Sequence, residues 1–98
     1  MKDKILSLVV ILKTKEEKRD FVLNEVMNVI PKTRNEKGCI DYEFHQDITD
    51  KNIFIFYENW ATYEDWQNHV NSEHMKVYSK STEDAILEKK LYQLNKLS

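Results

Sequence analysis

The fold of this chain of 98 residues is decided by the stretch Ile5–Leu12, which reads ILSLVVIL. A short apolar run that is rich in β-branched residues and bounded by lysines is typical of a strand buried on both faces. The stretch Ile53–Trp60, IFIFYENW, has the same two-sided apolar character. A sheet with helices on one side needs only one apolar face per strand, so the other face must be covered from outside the chain. A second copy of the chain is the simplest cover, and we predict a homodimer.

The segment between these two strands predicts a helix followed by a half-buried strand. Apolar residues recur at helical spacing after Lys18, and Thr14 with Glu17 has the form of a capping box for this helix. We expect Pro31 to end or kink the helix. Beyond it, apolar and polar residues alternate, with Ile40, Tyr42 and Phe44 on the apolar face.

The last third of the chain predicts two more helices and a final strand. Thr62 with Asp65 and, further on, Ser72 stand where helix N-caps are expected. Leu91–Leu97 indicates the last strand. The order β-α-β-β-α-α-β predicts an α+β fold, a ferredoxin-like βαββαβ sandwich that forms a dimeric α/β barrel. We expect a single domain of residues 1–98 with its core at about 5–94.

Composition and charge exclude several classes of protein. The net charge is −2 and no long basic block is present, so we predict neither nucleic acid nor a membrane as a partner. Charged residues follow Leu12 without a small-residue cleavage site, which argues against a signal peptide. The single cysteine, Cys39, suits a reducing compartment and is expected to pack rather than react. We therefore predict a cytoplasmic protein.

Two histidines are the candidate catalytic residues. Gly38 is the only glycine, so a phosphate-binding loop is excluded. His69 follows Trp66 on the flank of one helix, and His74 opens the apolar stripe of the next. Two imidazoles that lean toward one cavity could accept a proton or bind an anionic substrate, although a structural role at a helix end remains open for each. His45 lies on the polar side of its strand and is expected to face solvent.

No metal site is predicted. A pair of histidines five positions apart on one helix would lie on different faces, and the sequence shows no evident third ligand. Glu58 shares the apolar face of its strand with Trp60, so it needs a partner and acts either as a general base or as a structural ion pair. Ser7 marks either a position that faces a ligand or a small space-filling residue. The aromatic residues around the histidines would suit a flat aromatic ligand.

Three further segments are informative together. Residues 36–42 read EKGCIDY, residues 58–60 read ENW and residues 69–78 read HVNSEHMKVY. In the same order, they resemble the E-x-G-C-x-x-Y segment, the E-x-W strand end and the H-x-x-[ST]-x-H-[MF]-K-x-[YF] segment of one known family. That family is the antibiotic biosynthesis monooxygenase superfamily, and the third segment is typical of its quinol monooxygenase-like members.

This resemblance implies a dimeric barrel whose subunits oxidise a quinol or polyphenolic substrate with O2, without a metal, flavin or haem. It implies that the protein needs no cofactor and that O2 is a co-substrate. The catalytic residues it implies are His69 and His74. The substrate-binding residues it implies are Tyr42, Tyr57, Glu58 and Trp60. With Ser7 and Tyr78, which the residue patterns add, the predicted substrate-binding set is Ser7, Tyr42, Tyr57, Glu58, Trp60 and Tyr78.

Two alternatives stay open, a sugar-phosphate isomerase of quorum-signal breakdown and a non-catalytic small-molecule-binding dimer of a stress response. Haem degradation is disfavoured. The first strand carries Ser7 and no asparagine, whereas the haem-degrading branch has an asparagine there. That branch also has a tryptophan and a histidine where this sequence has His69 and Ser79.

Overall fold

Four strands and three helices make up the computed structural model, which describes residues 5–98. The charged start of the predicted domain, residues 1–4, lies outside the described residues. The strands are β1 (Leu6–Thr14), β2 (Cys39–Gln46), β3 (Ile53–Trp60) and β4 (Ile86–Leu94). The helices are α1 (Arg19–Arg34), α2 (Tyr63–Val70) and α3 (Glu73–Thr82), and short 3₁₀ turns occupy Glu16–Lys18 and Glu83–Ala85.

The strands form one antiparallel sheet in the order β2-β3-β1-β4. The two stretches that are apolar on both faces, β1 and β3, are its central strands, and they pair in the register Val10↔Phe56. This order with helices on one side is the ferredoxin-like α+β fold, so the predicted fold class is confirmed. None of the helices in residues 5–98 is long and apolar enough to cross a membrane.

The core lies between the sheet and the helices. Alternate residues of β1 and β3 are buried on this side together with the inner face of α1; they include Leu8, Val10, Leu12, Val22, Val26, Phe54, Phe56 and Trp60. On the opposite face of the sheet, Val9, Ile11 and Ile55 are only half-buried. The apolar character of both faces is therefore real, but the chain itself buries only one of them.

At three ends of elements the structure differs from an expectation. Thr14 is the buried last residue of β1 and does not cap a helix, because the strand runs past Leu12 and Thr14 N donates to Asn52 O at 2.8 Å. Of the two effects expected of Pro31, an end or a kink, the structure excludes the end, because helix α1 continues to Arg34. Strand β4 ends at Leu94, and Leu97, which was placed in it, is 90% exposed.

At the start of β2, a register shift between Cys39 and Asp41 changes the predicted alternation of buried and exposed residues. Ile40, expected on the buried face with Tyr42, is 49% exposed, because the irregularity turns it outward. Cys39 packs against the core in its place. Burial and the nearby Glu36 raise the pKa of the Cys39 thiol to about 11, which fits a packing role.

Candidate functional site

A cavity of about 260 Å³ lies between the helix-side face of the sheet and helices α2 and α3. Most of its wall is apolar. Its polar members come from different elements and include Tyr42 from β2, Glu58 from β3, His69 from α2, Tyr78 from α3 and Lys89 from β4. A mainly apolar cavity with a few convergent polar groups is the usual form of a small-molecule site.

His69 reaches this cavity from the last turn of α2. Thr62 begins the helix as predicted, with its side chain accepting from Asp65 N at 3.0 Å. Trp66 and His69 then share the inner face, and His69 is only 2% exposed. Its ring lies against Trp60, with the two ring centroids 4.8 Å apart. These contacts fix the plane of the imidazole.

The side chain of Glu36 holds one nitrogen of that imidazole. His69 Nδ1 lies 2.7 Å from Glu36 Oε2, a hydrogen bond in which Nδ1–H donates. Burial lowers the pKa of His69 below its ordinary 6.5, and this effect outweighs the opposing effect of Glu36. The ring is therefore neutral near pH 7, with its proton on Nδ1. Nε2 is left as the nitrogen with a free lone pair at the cavity.

Glu36 is the functional residue that sequence reasoning missed. It lies in the turn between α1 and β2, where its N–H donates to Thr33 O at 3.0 Å and its carbonyl accepts from Cys39 N at 3.2 Å. The turn depends on Gly38 for two reasons. Its φ of +83° favours glycine, and a Cβ at this position would overlap the side chain of Asp65. The available signal was the E-x-G-C segment itself, which was quoted without a role for its first residue.

His74 also contacts the carboxylate of Glu36. Its Nε2 lies 2.9 Å from Glu36 Oε2, and Thr33 Oγ1 and Ser72 Oγ are nearby at 3.3 and 3.4 Å. However, His74 does not line the cavity. It borders a separate groove between α1 and α3. The two predicted catalytic histidines are thus joined through Glu36, and only His69 faces the cavity.

The corner between α2 and α3 explains how both histidines reach one carboxylate. Ser72 begins α3, and its N–H and hydroxyl both donate to His69 O, at 3.0 and 2.6 Å. The histidines therefore lie on two helices rather than on one. The donor atoms of Glu36, His69 and His74 all lie within 4.8 Å of one another. The two reasons for expecting no metal site were that the histidines would lie on different faces of one helix and that no third ligand was evident, and the fold removes both.

Glu58 is the second titratable group at the cavity wall. It is 4% exposed, and its Oε1 accepts from Trp60 Nε1 at 2.9 Å. Burial raises the pKa of Glu58 to about 7, although the bond from Trp60 and the charge of Lys89 act in the opposite direction. Trp60, which was expected to bind substrate, is completely buried and is not among the residues that line the cavity; it packs behind Glu58 and His69 and holds them in place.

Tyr42 and Tyr78 line the cavity as predicted. Burial raises the pKa of Tyr42 well above 10 and that of Tyr78 to about 12. Both phenols therefore keep their protons at neutral pH and can donate hydrogen bonds. Tyr42 also packs edge-on against His69, with ring centroids 5.5 Å apart.

The structure places Ser7 and Tyr57 away from this cavity. Both lie on the face of the sheet opposite the helices, beside a separate depression that Asn59 and Leu94 also line. The Ser7 hydroxyl donates to Asn59 Oδ1, and Asn59 Nδ2 donates in turn to Asp41 Oδ2 at 2.9 Å. These two residues are not brought together with the histidines.

The chain belongs to the antibiotic biosynthesis monooxygenase family, which matches it over residues 5–81. The predicted resemblance is confirmed at this level. Over 49 residues, half of this chain, it is 31% identical to the Bacillus subtilis protein named "Putative monooxygenase YcnE" and 37% identical to an uncharacterized protein of Synechocystis sp.. These matches span 52% and 33% of those proteins, less than two-thirds of the length of either.

Solved structures show the same fold over the whole chain. The crystal structure of PA3566 from Pseudomonas aeruginosa superposes with a TM-score of 0.93 at 26% identity, and the match covers 100% of this chain and 99% of that one. This similarity confirms the architecture from β1 to β4.

Proposed function

We propose that this protein is a monooxygenase that oxidises a quinol or polyphenolic substrate with O2 and without a bound cofactor. The observation that carries the proposal is the Glu36–His69 pair, a neutral imidazole held at Nδ1 by a carboxylate at the wall of an apolar cavity. Family membership and the name of the Bacillus subtilis relative support monooxygenase chemistry. The resemblance of residues 69–78 to quinol monooxygenase-like members supports the substrate class.

The first step is a proton transfer from the substrate hydroxyl to His69 Nε2. The carboxylate of Glu36 stabilises the imidazolium that forms, because Nδ1–H already donates to it. A phenol has a pKa of about 10, so its anion needs stabilisation in the cavity. Tyr42 and Tyr78 stay protonated there and can donate hydrogen bonds to the phenolate oxygen.

The substrate supplies the electrons for the oxidation. The electron-rich phenolate reduces O2; one oxygen atom replaces a ring hydrogen and the other leaves as water. The quinol gives up two electrons when it becomes a quinone and two more when a ring C–H becomes C–OH. These four electrons reduce both atoms of O2. The protein's contributions are orientation, the proton transfer and a wall that excludes water.

The size and charge of the cavity support a small aromatic substrate. Its volume of about 260 Å³ lies just below the usual range for ligand sites, which suits one or two rings. The single cation in the lining, Lys89, is accompanied by the carboxyl groups of Glu58 and Glu83. Such a lining gives little attraction for the phosphate of a sugar phosphate, so it favours the oxidation over the isomerase alternative.

We further propose that the protein works as a cytoplasmic homodimer. The half-buried apolar residues on the open face of the sheet, including Val9, Ile11 and Ile55, support pairing with a second sheet. The single half-buried Cys39 supports a reducing compartment.

Oxygen consumption with a series of reduced quinols and naphthols tests the reaction. We expect O2 uptake that persists in the presence of a chelator, with one labelled oxygen atom from ¹⁸O2 in the product. Turnover of a substrate under strict anoxia would contradict the proposal and favour the isomerase. Saturable binding of every quinol without consumption would instead favour the non-catalytic binding protein.

A further inference from the structure

The group formed by Glu36, His69 and His74 can do more than orient one imidazole. We propose that it is a binding site for a divalent transition-metal ion of the zinc type, and that the ion, when bound, blocks His69 as a base. The blocking effect rests on the proposed function, whereas the metal site does not.

The geometry of the three donor atoms supports a metal site. Glu36 Oε2 receives His69 Nδ1 at 2.7 Å and His74 Nε2 at 2.9 Å, so two N–H groups point at one carboxylate oxygen. A cation can take the place of these two protons. Ligand atoms at about 2.0–2.2 Å from one ion lie no more than roughly 4.2 Å from one another. The three donor atoms already lie within 4.8 Å of one another, so small side-chain rotations bring them to this spacing.

The surroundings also allow an ion to enter. The three ligands come from the α1–β2 turn, from α2 and from α3, so the backbone holds them independently. The side chains of Glu36 and His74 are 17% and 15% exposed, and His74 borders the groove between α1 and α3. An ion could arrive through this groove without passing through the substrate cavity.

The donor set selects the kind of ion. Two imidazole nitrogens and one carboxylate oxygen suit Zn²⁺, Co²⁺, Ni²⁺ or Fe²⁺. Mg²⁺ and Ca²⁺ prefer oxygen ligands and are expected to bind poorly. The hydroxyls of Thr33 and Ser72, which lie near His74 Nε2, supply further oxygen atoms at the edge of the site.

Metal binding would change the tautomer of His69. An ion on Nδ1 occupies the lone pair left when the proton departs, so the neutral ring must carry its proton on Nε2. Nε2 faces the cavity and would then donate a hydrogen bond instead of accepting a proton. The metal-free protein is therefore the active form in this account, and an ion at Glu36, His69 and His74 inhibits it.

Binding is tested without any substrate. We expect metal-free protein to bind one Co²⁺ per chain with visible absorption bands, and Zn²⁺ to displace it while Mg²⁺ does not. Glu36→Gln and His74→Gln should each weaken Co²⁺ binding by at least about tenfold. His45→Gln is the matched control. His45 lies on the face of the sheet opposite the helices, where its Nε2 is 2.9 Å from Glu43 Oε1, so its loss should not affect binding. Equal affinity in all variants, or no saturable binding, would overturn the site.

Nitrogen NMR on the ¹⁵N-histidine-labelled wild-type protein gives a readout that needs neither variants nor activity. Addition of Zn²⁺ should move the His69 proton from Nδ1 to Nε2. If His69 keeps its Nδ1 proton at saturating Zn²⁺, the proposed coordination is wrong. Should this tautomer change occur in a protein that consumes no O2 with any quinol, the site stands and the proposed oxidation fails.

Discussion

His69 Nδ1 lies 2.7 Å from Glu36 Oε2, although the two residues are 33 positions apart in the chain. This bond leaves Nε2 of a buried imidazole at the wall of an apolar cavity. It joins a turn that has no hydrophobic periodicity to a helix whose periodicity is clear, and the proposed chemistry depends on it.

Removal of the carboxylate should impair catalysis and shift its pH dependence. The hydrogen bond and the charge of Glu36 both act to raise the pKa of His69. In Glu36→Gln we therefore expect kcat to fall roughly 10- to 100-fold and the acid limb of kcat/KM to move to lower pH. A purely structural role would lower the amount of folded enzyme without moving the acid limb. Glu64→Gln, at an exposed glutamate on α2, is the control.

Glu58 should make the folded state less stable as the pH rises. Its pKa is raised from 4.5 to about 7, so between these values the folded protein holds a proton that the unfolded chain has lost. The free energy of unfolding therefore falls as the pH rises from 4.5 through 7, by on the order of 3 kcal/mol from this group.

Urea unfolding of the wild type and Glu58→Gln at pH 4.5 and pH 8 measures this effect. The stability of the wild type relative to the variant should be higher at the lower pH. Subtraction of the variant's pH dependence removes the contributions of His69 and other groups. A constant difference between the two proteins across this range would show that burial does not raise the pKa of Glu58.

Gly38→Ala should destabilise the protein. A φ of +83° is unfavourable for alanine, and the added Cβ would overlap Asp65. We expect a loss of at least about 1 kcal/mol in the free energy of unfolding, with Lys37→Ala, at an exposed position in the same turn, nearly neutral. Equal stability of both variants would mean that the turn that holds Glu36 does not need glycine.

Charge on the open face of the sheet should separate the proposed dimer without unfolding the chain. Tyr57 is 37% exposed within one chain, so glutamate can be accommodated in a monomer, whereas between two sheets it would lose its contact with water and place a negative charge beside Glu43, its cross-strand neighbour. We expect Tyr57→Glu to halve the mass measured by light scattering while the circular dichroism is retained. Phe21→Glu, on α1 at 43% exposure, should remain a dimer. A wild-type monomer at micromolar concentration would contradict the dimer itself.

The strands and the position of His69 could be predicted because their signals are local. Two-sided apolar patterns located β1 and β3, and the spacing from Trp66 placed His69 on the flank of the inner face of α2. Glu36 could not be found in this way, because a turn has no periodicity and its partners are distant in sequence. His74 was correctly placed at the start of α3, but the corner at Ser72, not the spacing of the histidines, brings it to Glu36.

Tyr57 and Glu58 show a limit that strand geometry itself imposes. Successive side chains of a strand point to opposite faces, so these neighbours could not both line one cavity. Ser7 does not line the cavity for the same reason, because its neighbour Leu8 is the residue of β1 that faces the helices. The resemblance to a family supplied residue types, whereas parity along β1 and β3 decides which of them can meet His69.

The central claim, that His69 Nε2 is the base at the cavity, is tested most directly by the rate of O2 uptake with a quinol substrate in His69→Gln. The account predicts a fall in kcat of at least about 100-fold with little change in KM, while His45→Gln keeps the wild-type rate. Wild-type turnover by a folded His69→Gln variant would contradict it.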